Sequence, residues 1–153
     1  MRISSPEFED GGRIPKEYTC EGEGISPPLV VEDVPREAIS LALIVDDPDA
    51  PRGEFDHWII WNLPADMRTL PPAIPDSPTV EGLGAAAQGE NDYGRIGYDG
   101  PCPPPGRPHR YRFRLYALDT TLSLNPGATR DRVEQAMEGH VVAEAEMVGV
   151  YGR

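Results

Sequence analysis

The sequence predicts a mostly β protein, an antiparallel β-sandwich with one short helix in its C-terminal region. Three observations carry that prediction. The 18 prolines and 16 glycines among 153 residues are scattered rather than periodic, so they punctuate the chain without forming a repeat. The stretches between them are short and rich in β-branched and aromatic residues, the composition of strands. Two of those stretches fit a period of two, which sends alternate side chains to opposite faces of a sheet. A length of 153 residues predicts a single domain spanning 1–153.

The elements follow in order. Leu29 to Val31, after Pro27 and Pro28, reads as a strand. Ile39 to Val45 (ISLALIV) is nearly continuous in apolar residues, as a central strand buried on both faces should be. In FDHWIIWNLP, Phe55 to Pro64, strict alternation puts His57, Ile59, Trp61 and Leu63 on one face and Asp56, Trp58, Ile60 and Asn62 on the other. Between Pro64 and Pro108 strand signals are sparse, with one short strand expected around Thr79 to Leu83. Connections beyond about 12 to 15 residues are often functional. In HRYRFRLYAL, His109, Tyr111, Phe113, Leu115 and Ala117 point one way and Arg110, Arg112 and Arg114 the other, toward solvent. A helix is predicted from Thr129 to Glu138, with Thr129 as N-cap, Asp131 in the first turn, an apolar stripe of Val133, Ala136 and Met137, and Gly139 ending it. Val141 to Val150 reads as the last strand.

Charge and composition remove several classes of function. The 26 acids against 14 Lys and Arg give a net charge of −12, which repels a nucleic-acid backbone. No apolar run approaches the roughly 18 residues a membrane helix needs, and the N-terminus has neither the basic start nor the apolar stretch of a secretory signal, so a soluble, cytoplasmic protein is expected. Cys20 and Cys102 have no CxxC spacing and cannot form a structural zinc site alone. Two readings remain open for them: free thiols, or a disulfide stapling the N-terminal loop to the GPCPP loop.

Chemistry concentrates in three segments, DDPDAP from Asp46, FDHWIIWNLP from Phe55, and GYDGPCPPPGRPHRYRFRLYALD from Gly97. They place Asp47, His57, His109 and Tyr111 at strand ends, with Pro48 and Pro51 fixing the chain beyond Asp47. Asp46 and Asp49 read as solvated turn acids. Two histidines and a carboxylate are a known ligand set for iron or zinc, but the spacing is not that of a metal motif. Hydrolysis by a covalent route needs a nucleophile, and the one candidate, Cys102, sits in a proline-rich loop with no helix N-terminus to activate it. Recognition of a small anion uses every member of the set, the histidines and the tyrosine donating hydrogen bonds while Asp47 orients a histidine or binds an amine.

DPDAP at Asp47 to Pro51, the His57-Trp58 pair, GYDGP at Gly97 to Pro101 and PPPGRPHRY at Pro103 to Tyr111 together resemble the two signature blocks of the phosphatidylethanolamine-binding protein family. YTCEGEGISPPL from Tyr18 and GHVVAEAEMVGVYGR from Gly139 resemble its bacterial and archaeal branch of Raf-kinase-inhibitor-like proteins. The resemblance implies a β-sandwich with an anion cavity in which Asp47, His57, His109 and Tyr111 are the polar residues and Pro51 and Pro104 the wall. It also implies phosphate-bearing ligands such as phosphoethanolamine head groups, no cofactor, no catalysis, modulation of a kinase or a protease, a homodimer, and a cis peptide near DPDAP. The chain departs from animal members in carrying Phe55 where they have a tryptophan, in a loop before His109 one residue shorter, and in ending without their C-terminal helix. The alternative reading is an inhibitor of proteases or kinases acting through its loops, independently of the cavity.

Overall fold

The computed structural model describes Met1 to Arg153. Two antiparallel sheets make up the protein. Strands β1 (Arg2–Ser4), β2 (Leu29–Glu32) and β5 (Thr69–Leu70) form the small sheet in the order β1-β2-β5. The large sheet runs β6-β4-β3-β7-β8, from β3 (Ser40–Asp47), β4 (Phe55–Pro64), β6 (Ala87–Gln88), β7 (His109–Leu118) and β8 (Val141–Tyr151). Ile3, Leu29, Val31 and Leu70 of the small sheet pack with Leu41, Leu43, Val45, Phe113 and Leu115 of the large one, which makes the structure a β-sandwich. On the opposite face of the large sheet a second cluster, including Ala42, Ile44, Tyr116 and Leu118, lies under helix α1 (Arg130–Met137). The helix inserts Val133 and Met137 there, and Gly139, at φ 80°, turns the chain into β8.

Strand β3 explains the layering. All eight of its residues are buried, Leu41, Leu43 and Val45 in the sandwich core and Ala42 and Ile44 beneath the helix. A strand covered on both faces has no use for polar alternation, which is why Leu41 to Val45 is a continuous apolar run. Ile39, expected inside this strand, precedes it and is exposed.

Strand β4 breaks the alternation expected of it. Val45 pairs with Trp58 and Asp46 with Asp56, so His57 is an extra residue on β4; a second extra residue falls between the Leu43–Ile60 and Leu41–Leu63 pairs, where Asn62 takes φ 56°. Asn is among the few residues that tolerate that conformation, and here Asn62 Nδ2 donates to Leu122 O while Leu122 N–H donates to Asn62 Oδ1. Each bulge resets the two-residue period. Trp58, Ile60 and Leu63 therefore face the sandwich core, Ile59 and Trp61 face the helix, and His57 joins the core side rather than the face of Ile59 and Trp61.

Other expectations change for similar reasons. The strand predicted at Thr79 to Leu83 is a turn; Thr79 makes one isolated bridge to Ala87, and the strand is β6 itself. Gln88 of β6 is buried and satisfied, accepting from Trp58 Nε1 and donating to Pro75 O and Ser77 O. All peptide bonds are trans, so the cis bond anticipated near Asp47 to Pro51 is absent. Cys20 and Cys102 are joined in a disulfide, which closes the question of free thiols. No helix is long and apolar enough to cross a membrane.

Candidate functional site

Where β3, β4 and β7 end together, Asp47, His57, His109 and Tyr111 line one cavity of about 170 Å³. Ala50, Pro51, Phe55, Tyr93, Cys102, Pro103 and Pro104 complete the wall. Asp47 is the last residue of β3 and His109 the first of β7, adjacent strands that run antiparallel, which is how residues 62 positions apart meet. The bulge at His57 supplies the third polar group, because without it that side chain would point under the helix.

Asp47, His57 and His109 each have a defined partner. His109 Nδ1–H donates to Asp47 Oδ2 at 2.6 Å, and the other Asp47 oxygen accepts from the Asp49 N–H at 2.7 Å. One carboxylate thus shapes the turn and fixes the imidazole. His57 Nδ1–H donates to the Asp99 carbonyl oxygen at 2.7 Å. Asn91 holds the segment carrying Asp99, donating to Gly97 O and to Asp99 Oδ2, and Arg95 also pairs with the Asp99 carboxylate. Burial pushes the His57 pKa down, so the ring is neutral and its Nε2 is an acceptor. That differs from the expected donor role, because the donor nitrogen is already spent on Asp99. The Tyr111 hydroxyl is buried without a hydrogen bond of good geometry, and burial and the nearby Asp47 carboxylate hold it firmly protonated.

His57 packs edge-on against Tyr111 and Tyr93, and Phe55 closes on Tyr93 at 4.8 Å. No Lys or Arg lines the cavity. No group of three or more His, Cys, Asp and Glu side chains is disposed to hold a metal ion; Asp47 and His109 are bonded to each other, and each histidine's Nδ1 is occupied. Cys102, the one nucleophile considered, is in the disulfide. Sequence reasoning assigned no role to Tyr93, Asn91 or Asp99, which lie in a loop without periodicity; the DYG and GYDG turns were the available signal.

Behind the cavity sits a second polar cluster that the alternation misassigned. Asp46 is a fully buried acid rather than a solvated one, and Arg112, Arg114 and Arg130 all bond its carboxylate at 2.7 to 2.8 Å. Burial alone would raise its pKa, and the three guanidinium groups together bring it below the ordinary value. Arg112 and Arg114 are accordingly half-buried, while Arg110 stays exposed and grips Asp49, holding that acid down at about 2. Arg130 Nη1 also donates to Asp56 Oδ1 at 2.9 Å. Burial still lifts Asp56 to about 6 against that pull, with the Asp92 and Asp46 charges adding to it. Asp46 precedes Asp47 and Asp56 precedes His57, so the cluster pins the two strand ends from the reverse face of the sheet.

Residues 4–152 match the family model described as phosphatidylethanolamine-binding protein. A protein of Methanothermobacter thermautotrophicus named only as a UPF0098 protein is 54% identical over 153 residues, covering 100% of this chain and 99% of its own. Among solved structures, a putative phosphatidylethanolamine-binding protein homolog from Chlamydia trachomatis superposes with TM-score 0.90 at 44% identity, covering 99% of this chain and 97% of its own. YbcL of E. coli, described as a new member of the mammalian family, gives TM-score 0.91 at 32% identity over 99% and 98% of the two chains. The family model and the superpositions match the chain from end to end, and the chain belongs to the phosphatidylethanolamine-binding protein family.

Proposed function

We propose that this chain is a non-catalytic binding protein whose cavity takes a small phosphate-bearing anion of the phosphoethanolamine type. The observation that carries the reading is the Tyr111 hydroxyl, buried on the cavity wall near the Asp47 carboxylate but without a hydrogen bond of good geometry to it or to any other group of the chain. An unpaired buried hydroxyl is costly unless a ligand satisfies it. His57 Nε2 and the free nitrogen of His109 supply further bonding positions. A volume of about 170 Å³ equals roughly half a dozen waters at about 30 Å³ each, enough for a head group and too small for an acyl chain. With no Lys or Arg in the lining, binding relies on hydrogen bonds rather than on a charge clamp, so affinity is modest. Titration of phosphoethanolamine and of inorganic phosphate by ¹⁵N NMR tests this: shifts at Tyr111 and His57 that vanish in His109→Ala support it, and equal binding by that variant overturns it.

Modulation of a kinase or protease, with the occupied cavity as part of the contact, remains the associated proposal, as does a homodimer. Retention of inhibition after loss of both His57 and His109 separates the loop-based alternative. Structural disulfides belong to oxidising compartments or to the intracellular proteins of hyperthermophiles, so a cytoplasmic location for this chain implies the second setting.

A further inference from the structure

Strand β8 is the edge of the large sheet, with β7 on one side only. Part of its outer side is closed by the chain's own N-terminal segment. Gly11 N–H donates to Val148 O, Ile14 N–H to Val150 O, and Val150 N–H to Gly12 O, while Asp10 Oδ1 accepts from Val148 N–H. Alternation along a strand sends the N–H and C=O of Glu144 and Glu146 out on that same side, and neither residue bonds anything there. The edge is therefore known to accept an added segment at Val148 to Val150, and it is open immediately before it.

The side chains say what could fill it. Glu144 and Glu146 lie opposite Tyr116 and Arg114 in register and share the helix side of the sheet with them. There, with Glu134 and Glu138 of the helix end, Glu144 borders an open groove of about 490 Å³ over Arg114 and Tyr116. Arg114 is spent on Asp46 and Glu134 on Arg130, whereas Glu138, Glu144 and Glu146 are in no ion pair. Charged side chains on an edge deter neutral and acidic strands. A second copy of this chain would set Glu144 and Glu146 against their own equivalents, on proteins of net charge −12.

We propose that the open edge at Glu144 to Glu146 docks an extended, basic segment of a partner protein, which adds to the sheet as a further strand with Lys or Arg at alternate positions reaching Glu138, Glu144 and Glu146. Main-chain bonds to the edge supply the pairing, and the acidic groove selects the sequence. This surface is separate from the Tyr111 cavity and stands or falls independently of it.

The test uses a capped eight-residue peptide alternating Lys with Val, titrated into the ¹⁵N-labelled protein. Expected are amide shifts confined to Glu144 through Met147 and the facing helix end, binding weakened at least tenfold in Glu144→Lys/Glu146→Lys, and a similar loss for the same peptide N-methylated at alternate positions. Equal binding by the N-methylated peptide would show attraction by charge without strand pairing and overturn the proposal. So would shifts elsewhere, an unaffected double variant, or concentration-dependent shifts at Glu144 and Glu146 without peptide, the sign of a second copy. Glu146→Pro, which removes an outward N–H and leaves the bonds to β7 intact, gives a second variant that keeps the fold.

Discussion

Breaking the Cys20–Cys102 bond offers the most quantitative test of how this fold is held. The bond links positions 82 apart in sequence. In the chain-entropy description a cross-link of that span takes about 15 cal/mol/K from the unfolded chain, which at 25 °C stabilises the folded state by about 4.5 kcal/mol. Unfolding a chain of this length carries about 0.32 kcal/mol/K near 60 °C, so the expected fall in Tm on reduction is about 14 °C. The folded site should change much less. Cys20 N–H donates to Pro101 O, the Tyr98 hydroxyl to Tyr18 O, and Arg153 Nε to Pro103 O, so the two loops and the Pro103–Pro104 wall stay tied without the sulfur bridge. The assay is thermal and urea unfolding of oxidised protein, reduced protein and Cys20→Ser/Cys102→Ser, with thiol titration to verify each state and phosphate affinity measured alongside. Because the effect acts through the unfolded state, the urea m-value should rise on reduction and the affinity stay within about threefold. A Tm change below about 3 °C would refute the entropic account. Loss of phosphate binding at unchanged stability would refute the claim that the bond spares the folded cavity.

Three further outcomes follow from the site and the cluster behind it. Asp56 has its pKa raised from 3.8 to about 6, so the stability it lends is complete below pH 4 and is lost as pH rises through 6. Asp56→Asn should remove that loss, making the variant gain about 2 kcal/mol on wild type between pH 4 and pH 7 in urea melts, and a pH-independent difference would contradict the assignment. Tyr111→Phe removes an unpaired hydroxyl, so Tm should hold or rise while phosphate affinity falls roughly tenfold; a matching loss of stability would mean that the hydroxyl serves the fold. Neutral His57 offers an acceptor, so a phosphate monoester should bind better as pH falls toward its second pKa near 6 and it keeps a proton to donate. A diester carries no such proton. The ratio of monoester to diester affinity isolates that proton from any effect of pH common to both ligands, and a constant ratio in calorimetry from pH 8 to 5.5 would count against the arrangement.

The sequence made much of this legible. A continuous apolar run identified β3 because burial on both faces leaves no polar position to show. The alternation in β7 placed His109 and Tyr111 inward correctly, since that strand keeps its period through Ala117. The same rule failed in β4, where neither bulge has a local signature beyond Asn62. Turn context misled at Asp46, which looked solvated because the three arginines that bury it come from β7 and α1.

By itself, then, the sequence determined the β-sandwich class, the central strand, the helix with its terminal glycine, and the placing of Asp47, His57, His109 and Tyr111 at strand ends. All of these depend on local periodicity and turn chemistry, which neighbouring residues encode. Tertiary structure decided the side to which His57 points, the pairing of Cys20 with Cys102, the burial of Asp46 and the open edge of β8. A bulge is fixed by two strands pairing, a buried charge by partners tens of residues away, and an edge by which strand lacks a neighbour, so none of them exists until the chain has closed on itself.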